Sequence, residues 1–159
     1  MYFSSPDYRG ERYISRNPAW KNASLTRRYN AMMQILHRKV TGDENASLSR
    51  EDLKNKRYLL KKQANYVFDM IEQEKPGVTH WSDLSEMEKM YYAMILEEKA
   101  AEICKIDIFH CERQWCARRL LGEAFKMKLQ ARTRKARRAE DSSSMPNKIR
   151  RVSLFTTKV

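Results

Sequence analysis

Apolar residues recur at three- and four-residue steps along most of this chain. That period fits an amphipathic helix and excludes a half-buried strand, whose side chains alternate with period two. Leu25, Tyr29, Met32, Met33, Leu36 and Val40 keep the step, with Arg27, Arg28, His37, Arg38 and Lys39 between them. The spacing predicts a first helix over about 25–40. Gly42 stands where a left-handed C-terminal residue is wanted, and Ser49 before Glu51 and Asp52 reads as a capped restart.

A second helix follows over about 50–74. Leu53, Leu60, Val67, Met70 and Ile71 line one stripe, Lys54, Lys56, Arg57, Lys61 and Lys62 make the N-terminal half basic, and Pro76-Gly77 ends it. Ser85 and Glu88 form an S-x-x-E capping box, which predicts a third helix from Ser85 to about Lys105. A fourth segment, about 107–139, carries Ile108, Trp115, Leu120, Leu121, Phe125 and Leu129, then loses its apolar period as it becomes KMKLQARTRKARR.

The expected fold is all-α, a small bundle of three to four helices, and the 4 Gly and 4 Pro in 159 residues agree with so few turns. Residues 1–23 mix Tyr2, Phe3, Tyr8, Tyr13 and Trp20 with Arg, Asn and Pro without a helical period, so an extended aromatic and basic arm is expected there. Residues 24–125 are the expected helical domain. Residues 126–159 should be a basic helix end followed by a disordered tail, because EDSSSMPNKIRRVSLFTTKV lacks the apolar spacing needed to pack.

Lysine and arginine number 32 against 20 acidic residues, a net charge of +12 with a pI near 9.8, so the expected partner is a polyanion. Cys104, Cys111 and Cys116 are an odd set crowded together, unlike the even, spaced set of a disulfide-stapled secreted domain. With no apolar leader at the N-terminus and no run of roughly 20 apolar residues, neither secretion nor a membrane partner is expected.

No Gly-rich phosphate loop, nucleophile elbow or metalloprotease string occurs, so no enzyme activity, cofactor or small-molecule substrate is expected. Cys104, His110, Cys111 and Cys116 are soft ligands, but their spacing lacks the two close pairs of a zinc site, and no metal is assigned. His37, His80 and His110 read as surface or capping residues.

The most specific string is Trp81-Ser82-Asp83-Leu84-Ser85-Glu86-Met87-Glu88-Lys89-Met90-Tyr91-Tyr92, continued by Glu97-Glu98-Lys99-Ala100. It resembles the HMG-box family. There a tryptophan closes the second helix, a leucine and serine form the turn, and Glu-Lys followed by tyrosine begins the third helix. Trp81, Leu84, Ser85, Glu88, Lys89 and Tyr92 stand at those places. Upstream, Ala64–Val78 is similar to the family's aromatic first helix, approached by the basic KNKRYLLKKQ, so the similar segment spans 54–105. The stretch between Pro76 and Trp81 is too short for the family's second helix, and the prolines usual before the first are absent.

The resemblance implies a minor-groove DNA-bending protein with an apolar wedge, for which Val67 or Phe68 is the candidate. Among its variants it suggests the protamine-like sperm chromatin proteins of insects, which implies a nuclear protein of spermatogenesis. Independently of it, Lys126, Lys128, Arg132, Arg134, Lys135, Arg137 and Arg138 put seven cations in thirteen residues without an acid. With Lys54, Lys56, Arg57, Lys61 and Lys62 they are the candidate DNA-binding set, acting on duplex DNA by phosphate neutralisation with little sequence preference. The alternative is a structural component of a large assembly, such as an axonemal microtubule-associated protein of the cytoplasm, whose arm lies along an acidic cytoskeletal lattice. Arg150-Arg151-Val152-Ser153 resembles a basophilic kinase site, with Ser153 the acceptor, and Thr157-Lys158-Val159 resembles a PDZ-domain ligand.

Overall fold

The computed structural model describes residues 11–15 and 23–144, with side chains described as far as residue 141. Most of the arm expected over 1–23, the tail beyond Ser144, Ser153 and Thr157–Val159 therefore lie outside the described residues. The fold is all-α, as the periodicity predicts, with four α-helices among the described residues. They are α1 (Leu25–Thr41), α2 (Arg50–Glu74), α3 (Glu86–Lys99) and α4 (Trp115–Ser144). No helix in this part of the chain is long and apolar enough to cross a membrane. Two compact units divide the chain, Met1–Phe125 and Lys126–Val159, so α4 contributes its first residues to one and the remainder to the other.

Local chemistry sets the helix ends. The Ser24 hydroxyl accepts from the Arg27 N–H, and the Ser49 hydroxyl from the Asp52 N–H at 3.1 Å, each satisfying a donor that the first helical turn leaves open. Gly42 ends α1 at φ +71°, where a side chain would be strained, and its N–H reaches the Arg38 carbonyl at 2.9 Å. At the start of α3 the capping box is reciprocal: Ser85 N–H donates to Glu88 Oε1 at 2.8 Å, and Glu88 N–H donates to Ser85 Oγ at 3.1 Å. Lys75, just past α2, then pairs with the other Glu88 oxygen at 2.6 Å. That ammonium and the Ser85 N–H together pull the Glu88 carboxyl down to about 2.

The stripes read from the sequence face inward except at Val40, which is 85% exposed near the end of α1. Tyr29, Met32, Met33 and Leu36 of α1 meet Leu53, Leu60, Val67, Phe68 and Ile71 of α2, with Tyr92, Ala93 and Leu96 of α3 and Trp115, Leu120, Leu121 and Phe125 of α4 completing the core. Each fully buried large apolar side chain contributes about 1.5–3 kcal/mol relative to exposure. Phe68 and Phe125 meet edge to face with centroids 4.8 Å apart, the arrangement that brings a ring's positive edge to its neighbour's face.

The third helical segment runs on past α3 as a π-helical turn, Ala100–Cys104, and stops at Lys105, whose φ of +58° is left-handed. The fourth departs from its expected start near 107. Two 3₁₀ turns, Ile108–His110 and Glu112–Gln114, occupy the ground before α4, and Arg113 and Gln114 both have positive φ. Trp115 opens α4 with its indole N–H donating to the Ile14 carbonyl at 2.9 Å, so a contact 101 residues away helps to fix where that helix begins.

Candidate polyanion-binding surface

All seven cations from Lys126 to Arg138 are solvent-exposed on the helical stretch of the second unit. Successive helical residues turn by about 100°, so these positions leave no arc wider than about 120° without a cation. The segment has Met127 and Leu129 but no periodic apolar stripe, which leaves its whole circumference available for charge. Eleven of the 32 basic residues and two of the 20 acidic ones lie in 126–159, so this unit carries +9 of the net +12.

The α2 cations divide. Lys54, Lys61 and Lys62 are exposed, in company with the exposed rings of Tyr58 and Tyr66, whereas Lys56 and Arg57 are partly buried at the edges of the apolar stripe. Arg57 is occupied by a hydrogen bond to Asn30 Oδ1. Glu51 and Asp52 precede this face and Asp69 follows it, so it is mixed in sign. The stronger anion-binding surface is 126–138.

Val67 and Phe68 correct the wedge expectation. Both are buried, with relative exposures of 0% and 2%, and a side chain holding the core together has no free end to insert between base steps. Phe68 follows the buried Val67 by one residue because the inward arc of α2 is wider than a single stripe. Tyr92 is buried and its hydroxyl donates to Glu74 Oε1 at 2.5 Å. Trp81 is only partly buried. It sits in a 3₁₀ turn at the core margin, 6.0 Å from the Phe125 ring and against Gly122. Residues 75–85 join α2 to α3 without an intervening α-helix.

One constellation has no warning in the sequence. Glu97 of α3 is fully buried, and Arg12 reaches it with both terminal nitrogens, Nη1 to Oε2 at 2.9 Å and Nη2 to Oε1 at 3.1 Å. Arg12 Nη1 also donates to the carbonyls of Phe109 and Cys111, and the guanidinium lies 4.0 Å from the centroid of the Phe109 ring. Two residues on, Ile14 is buried and pairs its backbone with Cys111, its N–H donating to the His110 carbonyl and its own carbonyl accepting from Glu112 N–H. Residues 11–15 are thus an extended strap on the chain's own core. Glu97 stands in a Glu-Glu-Lys run, and the Arg12 guanidinium of the strap, 85 residues distant, offsets the cost of burying its charge.

Cys104, Cys111 and Cys116 are buried free thiols. Burial pushes the Cys116 thiol well above its ordinary value, with Cys111 hydrogen-bonded beside it. Among the described residues no three His, Cys, Asp or Glu side chains converge as metal ligands. His80 begins the Trp81 turn and its N–H donates to Asp83 at 3.0 Å, while His110 Nδ1 donates to the Glu11 carbonyl at 2.7 Å. No family model, curated protein or solved structure matches the chain.

Proposed function

We propose that this chain binds duplex DNA with little sequence preference, by neutralising phosphates with the cations of 126–138, and that it serves as a nuclear chromatin protein. The observation that carries the reading is the acid-free run of seven exposed cations spread around a helix. A helix with its side chains is about 10–12 Å across and the major groove is about 12 Å wide, so a helix charged on every side can meet both phosphate walls. Over thirteen residues it spans about 20 Å, a length along which duplex DNA presents about twelve phosphates.

Charge on all sides suits a groove better than a flat acidic lattice, which would engage one face. The cytoskeletal alternative drew on the N-terminal arm, and residues 11–15 of that arm are held on the chain's own core. Bending by Val67 or Phe68 has no part in the reading, and no catalytic step is assigned.

Fluorescence anisotropy with two unrelated duplexes, titrated with salt, tests it. Affinities should agree within about threefold, and log K should fall with log salt at a slope near −6 if all seven cations meet phosphates. Binding insensitive to salt, or confined to polymerised tubulin, would overturn it.

A further inference from the structure

A cavity of about 190 Å³ lies in the first unit between α1, the start of α2 and residues 105–110, with Tyr13 of the strap as one wall. Its floor is apolar: Met33, Leu36, Leu48 and Ile106. Around it stand Lys39, Lys56 and Lys105, from three separate elements, with Asp107 the one carboxylate. Among the described residues none of the three lysines forms a salt bridge. Composition does not produce this cluster, since residues 1–125 hold 21 basic and 18 acidic residues and are close to neutral.

The walls are tied in place. Tyr13 N–H donates to the His110 carbonyl at 2.8 Å. The Gln34 side chain clasps Leu48 from both sides, accepting its N–H at 2.8 Å and donating to its carbonyl at 3.1 Å. Lys105 enters from a left-handed backbone position that strains a non-glycine residue, and this residue both ends the π-helical turn and lines the cavity. A preformed, mostly apolar hollow with a few convergent charges is the usual form of a small-ligand site.

We propose that this cavity binds a pyrimidine nucleotide, the base entering the apolar hollow beside Tyr13 and the phosphate meeting Lys39, Lys56 and Lys105. Size suits the ring: a closed cavity of about 150 Å³ accepts benzene, and this hollow, which is open to solvent on one side, has room for a single six-membered ring. The lysines select the anion, and Asp107, which already pairs with His110 Nε2 at 3.3 Å through one oxygen, keeps the other as an acceptor for an exocyclic amino group, which favours cytosine. The nucleotide is either free or the 5′-terminal residue of a strand. The site lies within the first unit and does not depend on the cations of 126–138.

The test uses the full chain with Arg132, Arg134, Lys135, Arg137 and Arg138 changed to Gln, so that non-specific phosphate binding is reduced. Cytidine monophosphate, cytidine, inorganic phosphate and phosphotyrosine amide are titrated while backbone amide shifts are followed by NMR. The monophosphate should saturate with shifts centred on His37, Leu48, Ile106 and His110, with cytidine and phosphate each at least about tenfold weaker. Lys56→Gln with Lys105→Gln should weaken it by about tenfold or more while the unliganded spectrum keeps its dispersion. A 5′-phosphorylated oligocytidine reproducing the same shifts identifies a strand as the source, and binding by the monomer alone identifies the free nucleotide. Absence of saturation at about 10 mM, equal binding of inorganic phosphate, or tighter binding of phosphotyrosine amide would overturn the proposal.

Discussion

Replacing Arg12 with alanine removes both nitrogens that reach the fully buried Glu97 carboxylate, together with two hydrogen bonds to the Phe109 and Cys111 carbonyls and the stacking on Phe109. Breaking a buried ion pair from one side costs about 3–5 kcal/mol, because the remaining charge keeps its desolvation penalty. The Arg12 side chain is 29% exposed and Glu97 has further interactions, which place the loss at the lower end, about 3 kcal/mol. That is a large share of the roughly 5–15 kcal/mol by which a domain is stable. Urea unfolding of the full chain followed by circular dichroism should show the midpoint falling by about 2 M at an m near 1.5 kcal/mol/M. Arg12→Met combined with Glu97→Met removes both charges and should recover most of the loss. A midpoint shift under about 0.5 M for Arg12→Ala would refute the view that the strap is held by a buried ion pair.

Phe68→Ala should cost about 3–5 kcal/mol in the same assay and leave the DNA affinity of the folded fraction unchanged, as befits a core residue. Selective loss of DNA binding with normal stability would return Phe68 to the interface. Gly122→Ala should raise stability by about 0.5–1 kcal/mol, because the added methyl would stand 3.7 Å from Trp81, an ordinary contact, within a helix that glycine weakens. A fall in the thermal midpoint would mean that Trp81 packs more tightly there. Glu88 has its carboxyl lowered from 4.5 to about 2, first by Lys75 and then by Ser85 N–H. Its contribution is therefore complete above about pH 4.5 and lost as pH falls through about 2, and Glu88→Gln should flatten the acid limb of the stability curve in that window. An unchanged limb would contradict the link between α2 and α3.

The elements legible in the sequence are those whose signals are local. Ser24, Ser49, Ser85 and Gly42 satisfy backbone groups within four residues of themselves, so α1 and α2 come out within a residue or so of their expected ends and α3 starts where its capping box indicates. The start of α4 was not legible, because positive φ at Arg113 and Gln114 and the indole bond to Ile14 depend on a partner 101 residues away. The burial of Glu97 was not legible for the same reason, since Arg12, which pairs with it, lies 85 residues away. The periodicity places Leu53, Leu60 and Val67 inward, and the wedge role that the family resemblance implies for Val67 or Phe68 conflicts with their burial. The cations of 126–138 were legible because exposure is the default for lysine and arginine outside an apolar stripe.

DNA binding by the chain with Arg132, Arg134, Lys135, Arg137 and Arg138 changed to Gln, measured beside the unaltered chain across a range of salt, bears most directly on the proposed function. These side chains are exposed outside the first unit's core, so folding should be unaffected. Affinity should drop on every duplex alike, and the salt slope should become shallower by about 0.9 for each lost phosphate contact, or roughly four units if all five contribute. An unchanged affinity and slope, with attachment to a cytoskeletal lattice lost instead, would contradict the DNA reading.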